Sequence, residues 1–144
     1  MENKSNEATP QRPEGDRTLN ASLVTMNLNH LIEQVRNEPS WKDSDRNSIT
    51  IFKSDTMRIV LIGLHEGAEL KTHTANGIIS VQALEGHIQF TAAPEKTELQ
   101  KGQMLALQKE IPHSVVALKE SFFLLTMAMG QWLKPRTQSN FSVR

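Results

Sequence analysis

The fold is decided by two segments of the sequence, which read Gly67-Ala-Glu-Leu-Lys-Thr-His73-Thr-Ala75-Asn-Gly77-Ile-Ile79-Ser-Val-Gln-Ala-Leu-Glu-Gly86 and Gly102-Gln-Met-Leu-Ala-Leu-Gln-Lys-Glu-Ile-Pro-His113. Glycines separate short runs of β-branched and apolar residues here. Glycine tolerates the positive φ that tight turns between strands require. Each segment also carries one histidine, His73 or His113. The stretch therefore predicts short strands joined by glycine turns, with two histidines among them.

Extended segments continue on both sides of this stretch, from residue 48 to residue 129. Two of them, 49–53 and 57–62, are rich in β-branched residues and are separated by the turn signal Ser54-Asp55. Alternation places Val115 on the same face as His113. No helical periodicity interrupts these segments, so they predict an all-β fold, either an antiparallel barrel or a sandwich.

One short helix is predicted before the strands, at residues 27–37. Its apolar residues recur with helical spacing, at Leu28, Leu31, Ile32 and Val35. Asn27 is suited to the N-cap position and Pro39 to the end of the helix. A helix of this length is stable only when its apolar stripe packs against the rest of the protein.

The chain of 144 residues is organised as one domain with two tails. Residues 1–20 are polar and contain two prolines and many charges, a composition that predicts a disordered tail. The domain is expected to cover 21–130, with the helix at 27–37 and the barrel at 48–129. Residues 131–144 are expected to form a C-terminal tail.

Composition excludes several classes of protein. Sixteen basic and sixteen acidic residues give a formal net charge of zero, so no overall field attracts nucleic acid or an anionic membrane. The absence of cysteine excludes disulfides and thiolate metal sites. Residues 1–18 contain no apolar core of the kind a signal peptide needs, and the longest apolar run, at 122–129, is far too short to span a membrane, so a cytoplasmic location is expected.

The spacing of the glycines and histidines resembles the two motifs of the cupin superfamily. The motif glycines fall on Gly67, Gly86 and Gly102, and the first and last motif histidines fall on His73 and His113. The amino-acid sequence of residues 49–129 resembles that of small stand-alone bacterial cupins. The resemblance implies a jelly-roll β-barrel, and in its full form a divalent transition metal held by three histidines and a glutamate.

This chain departs from that motif at two of the four ligand positions. Ala75 stands where the second histidine is expected, and Ile79 stands where the glutamate is expected. Only His73 and His113 remain as metal ligands, and two imidazoles leave a divalent ion mostly held by water. A third ligand would have to come from another polar residue, and the candidates are His65, Asn76, Gln108 and Glu110. The histidines alternatively have a purely structural role, bonded to each other or to the backbone.

Three functions follow from this pattern. The first is binding of a small organic ligand in a barrel pocket formed by His73, His113, Ala75, Ile79 and Arg58, with Arg58 suited to hold a carboxylate. The second is a metal-dependent oxygenase or isomerase with a reduced ligand set. The third is a metal-free epimerase or isomerase in which His73 is the base. Whether the protein is an enzyme stays open at this point.

The expected partner besides the ligand is a second copy of the chain. The strands at 58–62 and 122–127 are apolar on both faces, so each face needs a cover. The barrel interior covers one face, and the helix, a second subunit or both cover the other. A homodimer is therefore predicted.

Overall fold

The computed structural model describes residues 11–12 and 19–130 of the chain. These residues form two helices and nine strands. The elements in chain order are α1 (Leu28–Asn37), α2 (Pro39–Asp43), β1 (Arg46–Lys53), β2 (Met57–Leu64), β3 (Glu69–His73), β4 (Ile78–Glu85), β5 (His87–Ala92), β6 (Glu95–Gln100), β7 (Met104–Leu107), β8 (His113–Ala117) and β9 (Ser121–Ala128).

The helical region contains one element that the sequence analysis did not predict. Helix α1 is capped by Asn27, whose side chain accepts a hydrogen bond from the His30 N–H at 3.1 Å. Pro39 follows the end of α1 and also begins α2. Proline suits the first turn of a helix because that turn does not use its missing N–H. The added helix buries Trp41.

The nine strands form two sheets, and all their pairings are antiparallel. Sheet 1 has the strand order β1-β2-β9-β4-β7, and sheet 2 has the order β3-β8-β5-β6. The predicted all-β architecture is therefore confirmed. Neighbours that are distant in sequence, such as β4 and β9, are produced by crossovers between the sheets, as in a jelly roll.

Two hydrophobic cores stabilise this arrangement. The inner core lies between the sheets and contains Val81 and Phe123 from sheet 1 with Ile88 and Val115 from sheet 2. The outer core lies between sheet 1 and the helices. The two apolar faces of β2 and β9 are thus covered by the inner core on one side and, in part, by the helices on the other.

Parts of the predicted N-terminal tail contact the domain. The Arg12 guanidinium donates to the Glu38 carboxylate, with Nη2 and Oε1 2.7 Å apart, and Leu19 is fully buried. These are long-range contacts that the composition of the segment does not indicate. Residues 1–10, 13–18 and 131–144, on which the remaining tail predictions fall, lie outside the described residues. No helix among the described residues is long and apolar enough to cross a membrane.

Candidate functional site

A cavity of about 370 Å³ brings both histidines together at one end of the inner core. Sheet 2 and the loop after β3 supply its polar part, and sheet 1 supplies an apolar wall. The lining residues are His73, Thr74, Ala75, Asn76, Ile79, His113, Leu125, Met127 and Met129. Met127 of β9 has two roles, since it lines the cavity and also packs against the inner core.

The two histidines are direct cross-strand partners. His73 ends β3, His113 begins β8, and the two residues pair in the register of these strands. Their ring centroids lie 4.4 Å apart, with 59° between the ring planes. The ring of His113 also stacks on Phe90, at 5.4 Å and 11°. His113 is only 4% exposed, whereas His73 is exposed at the mouth of the cavity.

The hydrogen bonds of the two rings fix their tautomers. Nδ1 of His73 lies 2.7 Å from the carbonyl oxygen of Lys71, and Nδ1 of His113 lies 2.9 Å from that of Ile111. A carbonyl oxygen only accepts, so each Nδ1 carries the proton and donates. In the neutral rings, each Nε2 therefore keeps its lone pair. Both side chains present an acceptor to a hydroxyl or N–H donor, or a ligand to a metal.

Of the other three residues predicted for the pocket, two line the cavity and one does not. Ala75 and Ile79 line the cavity, next to the histidines. Arg58 does not line it. Arg58 lies on β2 directly opposite Met127 of β9, which does line the cavity. The predicted set is thus split into four lining residues and one residue that neighbours the cavity wall.

The four candidates for a third metal ligand differ in whether they line the cavity. Asn76 lines the cavity. His65 does not, because its ring stacks on Trp41 at 3.7 Å and its Nε2 bonds the Trp41 carbonyl oxygen. Gln108 and Glu110 are exposed and are not among the lining residues. Within the described residues, no three His, Cys, Asp or Glu side chains are grouped as a metal would require.

A larger groove of about 700 Å³ lies on the other side of sheet 1, beside the start of α1. Two of its polar lining residues are already engaged in the fold. Asn27 caps α1, and Glu85 forms a salt bridge with Arg36 at 2.8 Å. The histidine cavity is the better site because two histidines line it together, and their hydrogen bonds within the described residues engage Nδ1 and leave Nε2 available.

Comparison with known proteins identifies the fold. No protein-family model matches the sequence, and no curated protein matches it. Many solved structures do match. A cupin superfamily protein of Desulfitobacterium hafniense is 18% identical, with a TM-score of 0.57 over 59% of this chain and 78% of that one. An RmlC-like cupin of Desulfovibrio desulfuricans is 26% identical, with a TM-score of 0.54 over 58% of this chain and 81% of that one.

A third similar structure is an enzyme. A variant of salicylate 1,2-dioxygenase from Pseudoaminobacter salicylatoxidans is 17% identical, with a TM-score of 0.66. The match covers 78% of this chain and 37% of the dioxygenase. At these identities the likeness is one of fold, and one fold carries many activities. The choice among activities has to come from the cavity itself.

Proposed function

We propose that this chain, which has the cupin fold, binds a small organic ligand in the cavity at His73 and His113. The observation that carries the proposal is that both histidines line a largely apolar cavity while each Nδ1 is bonded to the backbone, which leaves each Nε2 available as an acceptor. A volume of about 370 Å³ falls within the range of roughly 300 to 1,000 Å³ that small-molecule sites occupy.

The lining suggests how such a ligand is held. Ile79, Leu125 and Met127 provide an apolar wall from sheet 1. The histidines on sheet 2 provide acceptors with fixed direction, because each Nδ1–H is tied to the backbone. A ligand with an apolar body and a hydroxyl or N–H donor at one end fits this division. The apolar wall supplies affinity, and the two rings orient the ligand.

A fragment screen by ligand-observed NMR tests the proposal. Wild type is expected to bind small apolar fragments that carry a hydroxyl donor, and His73→Ala is expected to weaken that binding. His30→Ala is the matched control, because His30 is exposed on α1 and is not among the residues lining the cavity. The proposal fails if no fragment binds, or if His30→Ala weakens binding as much as His73→Ala does.

The metal-dependent enzyme is the second candidate, and the anchored rings favour it in one respect. A metal-ligating histidine usually donates its other ring N–H to a partner, as both rings do here. The number of donors is the difficulty. Two imidazoles and the Asn76 amide oxygen do not supply the three or four strong ligands that hold a divalent transition metal tightly. The cavity therefore does not fit a resident metal, and we assign no metal-dependent step.

The metal-free isomerase is the third candidate. Within the described part of the chain, the hydrogen bond of the His73 ring engages Nδ1 and leaves Nε2 available, which suits a base. A carboxylate normally orients such a histidine, and the residues that line the cavity include no Asp or Glu. The backbone carbonyl of Lys71 orients the ring instead. Turnover that His73→Ala abolishes and that chelators leave unchanged would favour this candidate over simple binding.

The homodimer is retained as part of the proposal. The helices leave part of the outer face of sheet 1 uncovered, where Met57, Ile78 and Met104 are 39%, 42% and 57% exposed. Their neighbours on that face, Ser80, Ala106, Thr126 and Ala128, carry no charge. An uncharged face can pair with its own copy without like-charge repulsion. Light scattering that gives the mass of one 16.2 kDa chain at micromolar concentration would refute the dimer.

The cytoplasmic location stays a prediction.

A further inference from the structure

Arg58 differs from the other arginines among the described residues, because its Nε has no hydrogen-bond partner there. The other arginines of the described residues, Arg12, Arg36 and Arg46, each form a salt bridge with a carboxylate. Nε of Arg58 is buried and has no hydrogen-bond partner within the described part of the chain. Its cross-strand partners, Lys53 on β1 and Met127 on β9, carry no negative charge. A buried N–H without an acceptor destabilises the fold, so an unsatisfied group of this kind calls for an explanation.

The register of sheet 1 places Arg58 beside the cavity. The β2–β9 pairing runs without irregularity from Met57 to Leu64, so Arg58 shares a face with Ile62 and Leu64, which pack in the inner core. Met127 lies opposite Arg58, and Ile79 lies opposite Met127 on the next strand. Ile79, Met127 and Arg58 therefore form one row across three neighbouring strands. The first two belong to the apolar wall, and Arg58 lies next to it on the third strand.

We propose that the ligand of this cavity is a small organic acid whose carboxylate extends past Met127 to Arg58, which lies one strand outside the lining residues. This inference rests on the proposed binding function and adds the chemical class of the ligand. A guanidinium presents two parallel N–H donors that match the two oxygens of a carboxylate. The described residues that line the cavity include no acidic side chain to compete for them.

The same observations favour a carboxylate over a phosphate. A phosphate ester carries more charge and three acceptor oxygens, and it needs several donors. Arg58 is one cation next to a wall of Ile79, Leu125 and Met127. One negative charge on an apolar body matches one guanidinium beside an apolar wall. The body of the acid lies against that wall, and its far end faces the acceptors of His73 and His113.

Matched acid and amide probes test this assignment. Benzoate and hexanoate are compared with benzamide and hexanamide, and phenyl phosphate is added as a second anion, all by isothermal titration calorimetry. Because a hydrogen bond to a charged group is stronger than a neutral one, wild type is expected to bind each acid about tenfold or more tightly than its amide. Arg58→Met is expected to bind the amides as wild type does and to lose the preference for acids. Lys96→Met, which removes an exposed cation on β6, is expected to keep the preference.

The stability of the unliganded variant is a second readout. If Arg58 serves a ligand, Arg58→Met removes an unsatisfied buried group and the Tm of the free protein stays the same or rises. A lower Tm would show a structural role and overturn the inference. Equal binding of acids and amides by wild type, or phenyl phosphate binding as tightly as benzoate, would also overturn it and leave the binding function standing. Failure of every probe to bind would overturn both.

Discussion

His73 and His113 are anchored by the same local bond, since each donates Nδ1–H to the carbonyl oxygen two residues before it. The two residues are also direct partners between β3 and β8. Their surroundings differ, because His113 is buried against Phe90 and His73 is exposed. The same ring chemistry is therefore available at two depths of one cavity, and the two residues are expected to respond differently to substitution.

The first prediction concerns that difference. His113→Ala removes a buried ring and leaves a void beside Phe90, so it is expected to lower the free energy of unfolding by about 2 to 4 kcal/mol. His73→Ala removes an exposed ring, and its expected cost is below about 1 kcal/mol. Urea unfolding measures both values. Equal losses would show that the burial of His113 does not set its contribution.

The second prediction concerns the position of the missing second motif histidine. Ala75 lines the cavity beside His73 and His113. Ala75→His is expected to add a third imidazole and to raise the affinity for Zn²⁺ by about tenfold or more. Isothermal titration calorimetry at pH 7.5 measures this change.

Ala106→His is the control for that experiment. Ala106 is exposed on β7 and is not among the residues that line the cavity. A histidine there is expected to leave the affinity for Zn²⁺ at the wild-type value. An equal gain in both variants would mean that the added imidazole binds metal by itself. No gain at Ala75 would mean that the cavity does not direct three rings to one point.

The parts of the fold that were predictable from sequence depend on local patterns. Positive φ at Gly67, Gly86 and Gly102 confirms the reason given for the motif glycines, since each needs a conformation that other residues rarely adopt. Alternation in β8 likewise follows from its residues, with His113 and Val115 both buried. Such features are properties of a few consecutive residues, which a single sequence displays directly.

The remaining features depend on contacts between distant segments. The adjacency of His73 and His113 was inferred from the resemblance to the cupin motifs, because no local pattern relates two residues in different strands. The bond between Arg12 and Glu38 and the missing partner of Arg58 have no sequence signal of their own. Whether a buried polar group finds a partner is decided by the packing of the whole chain.

The third prediction concerns the dependence of stability on pH at Glu38. Burial acts to raise the pKa of this carboxyl, but hydrogen bonds from Arg12, Gln34 and Asn47 and the charge of Arg12 outweigh it and lower the pKa below its usual value of 4.5. A lowered pKa in the folded state gives stability that is present above pH 4.5 and is lost as pH falls through the folded value. Glu38→Gln is expected to cost about 2 kcal/mol at pH 7, because the charged hydrogen bonds are lost.

The difference between Glu38→Gln and wild type is expected to shrink below pH 4.5, as the wild-type carboxyl becomes protonated. Denaturant unfolding at pH 7 and at several acidic values measures it. Glu33→Gln is the control, because the Glu33 side chain is 62% exposed and its pairing with Arg36 is worth less than about 1 kcal/mol. A cost at Glu38 that is constant down to pH 3 would contradict the lowered pKa.

The fourth prediction separates backbone strain from steric crowding at two glycines. Gly86 and Gly102 have nearly equal φ values, 85° and 87°. A Cβ at Gly102 meets nothing within 4 Å, whereas a Cβ at Gly86 meets the Glu120 carbonyl oxygen and Ser121 Oγ. Gly102→Ala is therefore expected to cost only the strain of a positive φ, about 1 kcal/mol.

Gly86→Ala is expected to lower the free energy of unfolding by more, about 2 to 4 kcal/mol in total. The added Cβ has to displace neighbouring backbone in addition to the strain of the positive φ. Urea unfolding of both variants measures the difference. Ser121 is fully buried, and its hydroxyl accepts from the His87 N–H at 2.9 Å, so the turn cannot open without breaking that bond. A cost at Gly86 no larger than at Gly102 would show that the β4–β5 turn shifts freely and that the close approach of residue 120 does not constrain it.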